Sequence, residues 1–125
     1  MFQWSLLFVS SLLALAMATH TGNDWPSGSI TCGNNIYTRS NVERPIPQGL
    51  VAYPRKFNNI NNLTIQCLGG SLEEFPILPG RPYTTGSAGP DRVIYIRAQH
   101  EAEYCTVVTR RDGFDGNPFV LCEGS

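Results

Sequence analysis

Histidine is scarce in this chain: His20 and His100 are the only two in 125 residues. No Cys-x-x-Cys pair accompanies them, which argues against a zinc site and leaves both histidines as solvated surface residues. No metal and no cofactor is expected. Lysine is scarcer still, with Lys56 alone beside eight arginines. Charged residues are 15% of the chain and the net charge is −1, so bulk charge calls for no polyanion partner. There is no internal repeat and no long low-complexity tract. Charge is absent altogether from the first stretch, MFQWSLLFVSSLLALAMA.

That stretch holds an apolar run from Leu6 to Leu15, broken by Ser10 and Ser11, and ends in Ala16-Met17-Ala18. A short apolar run before a small-x-small site reads as a secretory signal peptide over residues 1–18. Only the terminal amine supplies its positive charge. A membrane-spanning helix needs about 20 apolar residues, and this run is shorter, so no membrane association is expected. Residues 19–125 then make one small domain, expected to be secreted and monomeric. All four cysteines, Cys32, Cys67, Cys105 and Cys122, fall within it. An even count in a secreted chain of this size predicts two disulfides.

The arm from Thr19 to Ser29 is polar and reads as loosely tied. SITCGNNIYT, Ser29 to Thr38, places apolar residues around Gly33-Asn34-Asn35 and predicts a β-hairpin. SNVE, Ser40 to Glu43, fits a capping box. Pro45 and Pro47 follow at once, so any helix there is short. Strands are predicted over GLVAYPRKF (49–57), LTIQCL (63–68), EEFPIL (73–78), DRVIYIRA (91–98), EYCTVVTR (103–110) and NPFVLC (117–122). Short connections favour antiparallel pairing. The class is α+β: an N-terminal hairpin, one short helix, and a twisted antiparallel sheet of about four to five strands. Asn62-Leu63-Thr64 is an N-glycosylation sequon at Asn62.

Three strand segments carry polar side chains in apolar surroundings: Tyr53 and Arg55, Glu74, and Arg92. Residues two apart share a strand face, so Tyr53 and Arg55 lie together. If Glu74, Arg92 and Arg110 share that face, one carboxylate stands among three guanidinium groups. Such a cluster suits a phosphodiester, because the guanidinium fork matches phosphate oxygens. A salt-bridge network on an exposed sheet face is the competing reading. Arg111, one step out of register, is expected to be exposed.

Five stretches, in order, resemble the small fungal guanyl-specific extracellular ribonucleases, relatives of barnase: TCGNNIY, YPRKFNN, EEFPIL, GSAGPDRVIY and VVTRRDGFDGNPFVLC. The resemblance implies the microbial ribonuclease fold. It implies Glu74 as the general base that takes the ribose 2′-OH proton. It puts Arg92 at the phosphate, with Tyr53 beside it and Phe119 lining the site. Guanine would be read at Asn58 and Asn59, with Asn117 contributing from the last loop. The same resemblance pairs Cys32 with Cys122, which leaves Cys67 with Cys105.

The departures from the pattern fall on the chemistry. Arg55 and Arg110 stand where the family has histidines, and the second of these is the family's general acid. An arginine does not release its proton near neutrality. A general acid contributes typically about 10²- to 10⁴-fold, so Arg110 forfeits about that much and Glu74 becomes a vestigial base. Two added cations are also expected to depress the pKa of Glu74. The acidic residue that accepts from the guanine edge appears as Asn61. The segment between Tyr37 and Tyr53 is shortened, so the family's long helix is cut down.

A secreted ribonuclease-like protein without its catalytic acid is similar to the ribonuclease-like effectors of biotrophic plant-pathogenic fungi. That resemblance implies a pseudo-ribonuclease, translocated into host cells, that binds host RNA or host proteins, including a plant immune receptor, and suppresses immunity. The alternative is an active or weakly active guanyl-specific extracellular endoribonuclease that uses Glu74 as base, with Arg92 and a substitute acid; His100, in the turn between two predicted strands, is poorly placed for that role.

Overall fold

The computed structural model describes residues 25–46, 55–65, 67, 70–98 and 101–125. The signal segment, both histidines and Tyr53 lie outside the described residues.

The hairpin forms where Gly33-Asn34-Asn35 predicts it. Strands β1 (Ile30–Cys32) and β2 (Asn35–Tyr37) pair antiparallel, with Ile30 opposite Tyr37. Helix α1 follows over Arg39–Glu43. Its N-cap is Thr38 rather than Ser40: the Thr38 hydroxyl accepts from the Asn41 backbone N–H, and Asn41 Oδ1 accepts from the Thr38 backbone N–H. Asn41 thus takes the place expected of Glu43, because the chain turns helical two residues early. Glu43 instead pairs with Arg39 at 3.2 Å.

One antiparallel sheet follows in the order β3 (Leu72–Pro76), β4 (Asp91–Ala98), β5 (Glu101–Arg110) and β6 (Phe119–Leu121). A bulge interrupts the β4–β5 register between Ile94 and Tyr95. Among the described residues the sheet has four strands. The segment expected as a strand over 49–57 contributes, in its described part, one isolated bridge, Lys56 to Glu73. It nevertheless runs along the β3 edge, since Phe57 N–H donates to Leu72 O and Glu74 N–H to Arg55 O, each at 2.8 Å. The described residues of 63–68 form no ladder. There the side chain of Asn59 clamps the chain instead, donating to Leu63 O and accepting from Leu63 N–H, both at 2.9 Å.

The two sheet faces carry separate cores. One packs Phe75, Val93, Tyr95 and Val107 against Tyr37, Val42 and Ile46 of the hairpin and helix. The other packs Ile94, Ile96, Cys105, Val108 and Phe119 under Phe57, with Leu63 and Ile65 at its margin. The N-terminal arm is less loose than expected at its end. Trp25 stacks on Tyr104 with ring centroids 4.4 Å apart, and Arg39 lies 5.1 Å over its ring, because an indole gains more by covering core than by facing water.

Both disulfides form, Cys32–Cys122 and Cys67–Cys105. The first ties the hairpin to the chain end, where Thr31 and Glu123 also exchange two backbone hydrogen bonds of 2.9 Å. A second tie is polar. Fully buried Tyr37 donates its hydroxyl to Asp91 Oδ2, and Asn35 Nδ2 donates to the same oxygen at 2.9 Å. Asp91 is the first residue of β4, so the hairpin fixes the end of the strand that carries Arg92.

Candidate functional site

Pleat and register set the site. Arg92 lies opposite both Pro76 on β3 and Val108 on β5, and Arg110 lies opposite Phe119 on β6. Alternation then puts Glu74, Arg92, Arg110 and Phe119 on one face. Arg55 joins them from the segment beside β3. One carboxylate and three guanidinium groups thus share this face, and the carboxylate is ion-paired to two of them.

Glu74 and Arg92 are both buried, and Glu74 Oε1 lies 3.6 Å from Nε of Arg92 and 3.6 Å from Nε of Arg55. These distances are ion pairs rather than short hydrogen bonds. Arg55 is exposed and reaches in from the rim. Arg92 is braced from behind. Its Nη1 donates to Gly89 O at 2.7 Å, to Asp91 O at 2.8 Å and to Ala88 O at 3.4 Å. Gly89 takes a positive φ of 66°, which a side chain would resist, and so turns its carbonyl toward the guanidinium. Arg92 Nε is buried without a hydrogen-bond partner among the described residues, leaving a donor aimed at the carboxylate side of the site.

Arg110 is held differently. Its guanidinium carbon sits 3.7 Å from the centre of the Phe119 ring, and its Nη1 donates to Asn117 O at 2.9 Å. Phe119 leans on Phe57 with centroids 5.7 Å apart. The aromatic pair is thus the floor and the Arg110 guanidinium sits over it.

Burial pushes the carboxyl of Glu74 above its usual value of 4.5, against the opposing pull of Arg92, Arg55 and Arg110. The expectation that the arginines would leave it depressed therefore fails on magnitude: they act in that direction, but loss of water outweighs them. The raised carboxyl is a better base than a solvated glutamate once ionised. Burial also lowers the pKa of Arg92, with Glu74 opposing that shift.

A cavity of about 510 Å³ opens over this face, bordered by Arg55, Phe57, Asn58, Glu74, Arg110 and Phe119. Asn59 and Asn61 also line it. The amide of Asn59 is occupied by its Leu63 bonds. The amide of Asn117 donates to Arg111 O at 2.8 Å, so Asn117 braces the β5–β6 loop and Arg110. Arg111 is exposed, as its register predicts. Asn62 is exposed with a left-handed φ of 52°, which leaves the sequon on the surface. Phe57 and Pro118 line the cavity without having been singled out by sequence. Phe57 was legible, since it stands two residues after Arg55.

A larger groove of about 710 Å³ runs between the hairpin turn and the 3-10 turn at Arg111–Gly113. It shares Arg110 with the first but does not border Glu74, and Arg92 lines neither. Among the described residues no group of histidine, cysteine or acidic side chains could hold a metal, and no helix is long and apolar enough to cross a membrane.

Comparison with known proteins agrees with this geometry. The sequence pattern that defines the ribonuclease family matches residues 25–123. The chain is 30% identical to guanyl-specific ribonuclease F1 of Fusarium fujikuroi, over 97% of this chain and 95% of that one. It is 32% identical to extracellular guanyl-specific ribonuclease Fl1 of Gibberella baccata, over 76% and 96%. Among solved structures, the ribonuclease from Hericium erinaceus superposes with a TM-score of 0.57 at 28% identity, covering 77% of this chain and 99% of that one.

Proposed function

The chain belongs to the ribonuclease family, and on that premise we propose that it holds single-stranded RNA by its phosphodiester backbone and has lost acid-assisted cleavage. The observation that carries this reading is the row Glu74, Arg92, Arg110 across three adjacent strands, with Arg110 stacked on Phe119. A phosphate in the cavity meets the guanidinium groups of Arg55 and Arg110, which line it, with the buried charge of Arg92 behind Glu74, and guanidinium donors suit phosphate oxygens. The row is built of a carboxylate and guanidinium groups, with no imidazole in it. Arg110 holds an anion but keeps its proton. The base end of the ligand is assigned to the Asn58–Asn61 wall of the cavity. The relatives' names make guanine the base of choice there. With Asn59 tied to Leu63, base reading falls to Asn58, Asn61 and the turn backbone.

In its setting the protein acts as a secreted pseudo-ribonuclease effector that engages host RNA and so blunts plant immunity. The extracellular relative supports secretion. The resemblance to ribonuclease-like effectors supports the rest, and expressing wild-type and site-variant chains in plant cells, with a defence readout, tests it.

The direct test is fluorescence anisotropy of a guanine-containing single-stranded oligonucleotide with the purified, oxidised chain. Affinity should fall with salt at a log–log slope of about −0.7 per neutralised phosphate. The Arg55→Ala, Arg110→Ala double variant should bind at least about tenfold more weakly, a loss of about 1.4 kcal/mol. Salt-independent binding, or a double variant that binds as well, would remove the phosphodiester from the reading. Cleavage of the same oligonucleotide should match that of Glu74→Gln.

A further inference from the structure

One turn of the cavity wall carries a feature that RNA holding leaves unused. Asn62-Leu63-Thr64 is the only Asn-x-Ser/Thr sequence in the chain. Asn62 closes the turn that begins at Asn59: its N–H donates to Asn59 O at 3.2 Å, and the Asn59 side chain grips Leu63 beyond it. The turn alone accounts for an asparagine there, since Asn tolerates a left-handed φ. It does not account for Thr64. Asn62 and Thr64 are both exposed, and among the described residues neither side chain has a partner. By contrast, the amides of Asn35, Asn59 and Asn117 are all spent on structural hydrogen bonds. A free amide on a fixed turn, with a free hydroxyl two residues on, is what N-glycosylation needs. Asn62 stands just outside the cavity, while Ile60, Asn61 and Leu63 line it. At 74% exposure, Ile60 is the barest large hydrophobic side chain among the described residues, an apolar rim beside the sequon.

We infer that the secreted chain carries an N-linked oligosaccharide on Asn62, and that this glycan covers Ile60 and the Asn58–Asn61 end of the cavity mouth. The cover itself stands on the turn; its effect on RNA, a weaker hold, rests on the base wall proposed above. The donor is an oligosaccharide diphosphate of a membrane lipid, met in the secretory route that the extracellular relative supports. The Asn62 amide nitrogen bonds to the anomeric carbon of the first sugar and gives up a proton. The bond from that carbon to the diphosphate breaks, and the lipid diphosphate leaves with its electron pair. No wall residue is consumed, because Asn62 does not line the cavity. A neutral glycan covers the base end without altering the charge at Arg55 and Arg110.

The experiment secretes the full chain from a eukaryotic host and weighs it by intact-mass spectrometry, beside Thr64→Ala from the same host and unglycosylated wild type refolded from bacteria. Secreted wild type should carry a hexose-rich glycan at Asn62, and Thr64→Ala none. Hydroxyl-radical footprinting should label Ile60 several-fold less in the glycosylated chain than in the unglycosylated one. Oligonucleotide anisotropy should show about tenfold weaker binding by the glycosylated chain, the scale of one lost base contact. Its salt slope should not change, since phosphate contacts set that slope. Thr64→Ala should bind as the unglycosylated wild type does. Four results overturn the inference: a secreted wild type without a glycan, equal labelling of Ile60, equal RNA affinity with and without the glycan, or a salt slope that falls with the affinity. If the unglycosylated chain does not bind the oligonucleotide while the glycan still shields Ile60, the RNA-holding function is overturned and the cover at Asn62 stands.

Discussion

The guanidinium carbon of Arg110 lies 3.7 Å from the centre of the Phe119 ring, closer than that of Arg92 at 5.9 Å. The ring thus seats one cation and merely borders the other. An arginine on a flexible stem loses much side-chain entropy when it grips an anion, and stacking on a ring takes up part of that loss before the ligand arrives.

Phe119→Leu should therefore weaken oligonucleotide binding although the residue need not touch the ligand. A partly desolvated cation–π contact is worth about 1–2 kcal/mol, or about 5- to 30-fold in affinity. Phe119→Tyr keeps the ring and should bind within a few-fold of wild type. Anisotropy titrations of the two variants decide it: equal losses would mean that Phe119 acts through packing alone.

Glu74 makes stability depend on pH in an uncommon direction for a carboxylate. Burial raises its folded pKa above the usual 4.5, so the folded state binds the proton more tightly than the unfolded state. Its contribution to stability is complete below the unfolded value and is lost as pH rises through the folded one. Thermal unfolding of wild type and Glu74→Gln, from about pH 3 to about pH 8, should show the wild-type advantage shrinking above the usual carboxylate pKa. An advantage that grew with pH would mean that the three arginines outweigh desolvation.

Tyr37→Phe should cost about 1.5–3 kcal/mol, the range for a buried hydrogen bond to a charged partner. The phenol is held well above its usual pKa, by burial first and by Asp91 next, so it stays protonated through the working range and this loss should not vary with pH near neutrality. Denaturant titration at two pH values measures both statements. Because Asp91 begins the strand that carries Arg92, binding should weaken in the same variant.

Replacing each cystine by two serines should rank the staples by loop length. Cys32–Cys122 spans 90 residues and Cys67–Cys105 spans 38. The chain-entropy relation gives about 4.6 kcal/mol for the first and about 3.9 kcal/mol for the second. Unfolding free energies of the two variants should keep that order.

Local chemistry made most of this fold legible. Asp91–Ala98 is rich in β-branched and aromatic residues, and it forms a strand over that whole span. The hairpin around Gly33 was readable from turn residues. The misjudged helix cap came from ranking Glu above Asn as the reciprocal partner, although Asn41 makes the same bond from a shorter side chain. The segment at Leu63 reads as a strand by composition, but a single clamp by Asn59 holds it off the sheet. Such a contact leaves no periodic trace. At the site, residue types singled out Glu74, Arg55, Arg92 and Arg110, but whether they share a face depends on inter-strand register, which the sequence left open. The sign of the Glu74 shift was not legible, since it sets loss of water against the pull of three arginines, and burial depth is a property of the folded state.

The bond between Cys32 and Cys122 also decides how the molecule bears tension. A pull on the two ends of the domain passes from the hairpin across the sulfurs to the C-terminus and never loads the β3–β6 ladder. The 90 residues between hold a contour of about 300 Å at about 3.3–3.6 Å per residue. That length stays hidden in the oxidised molecule and pays out only after reduction. Threading the chain through a narrow pore is thus gated by the redox state of its surroundings before the strength of its sheet matters.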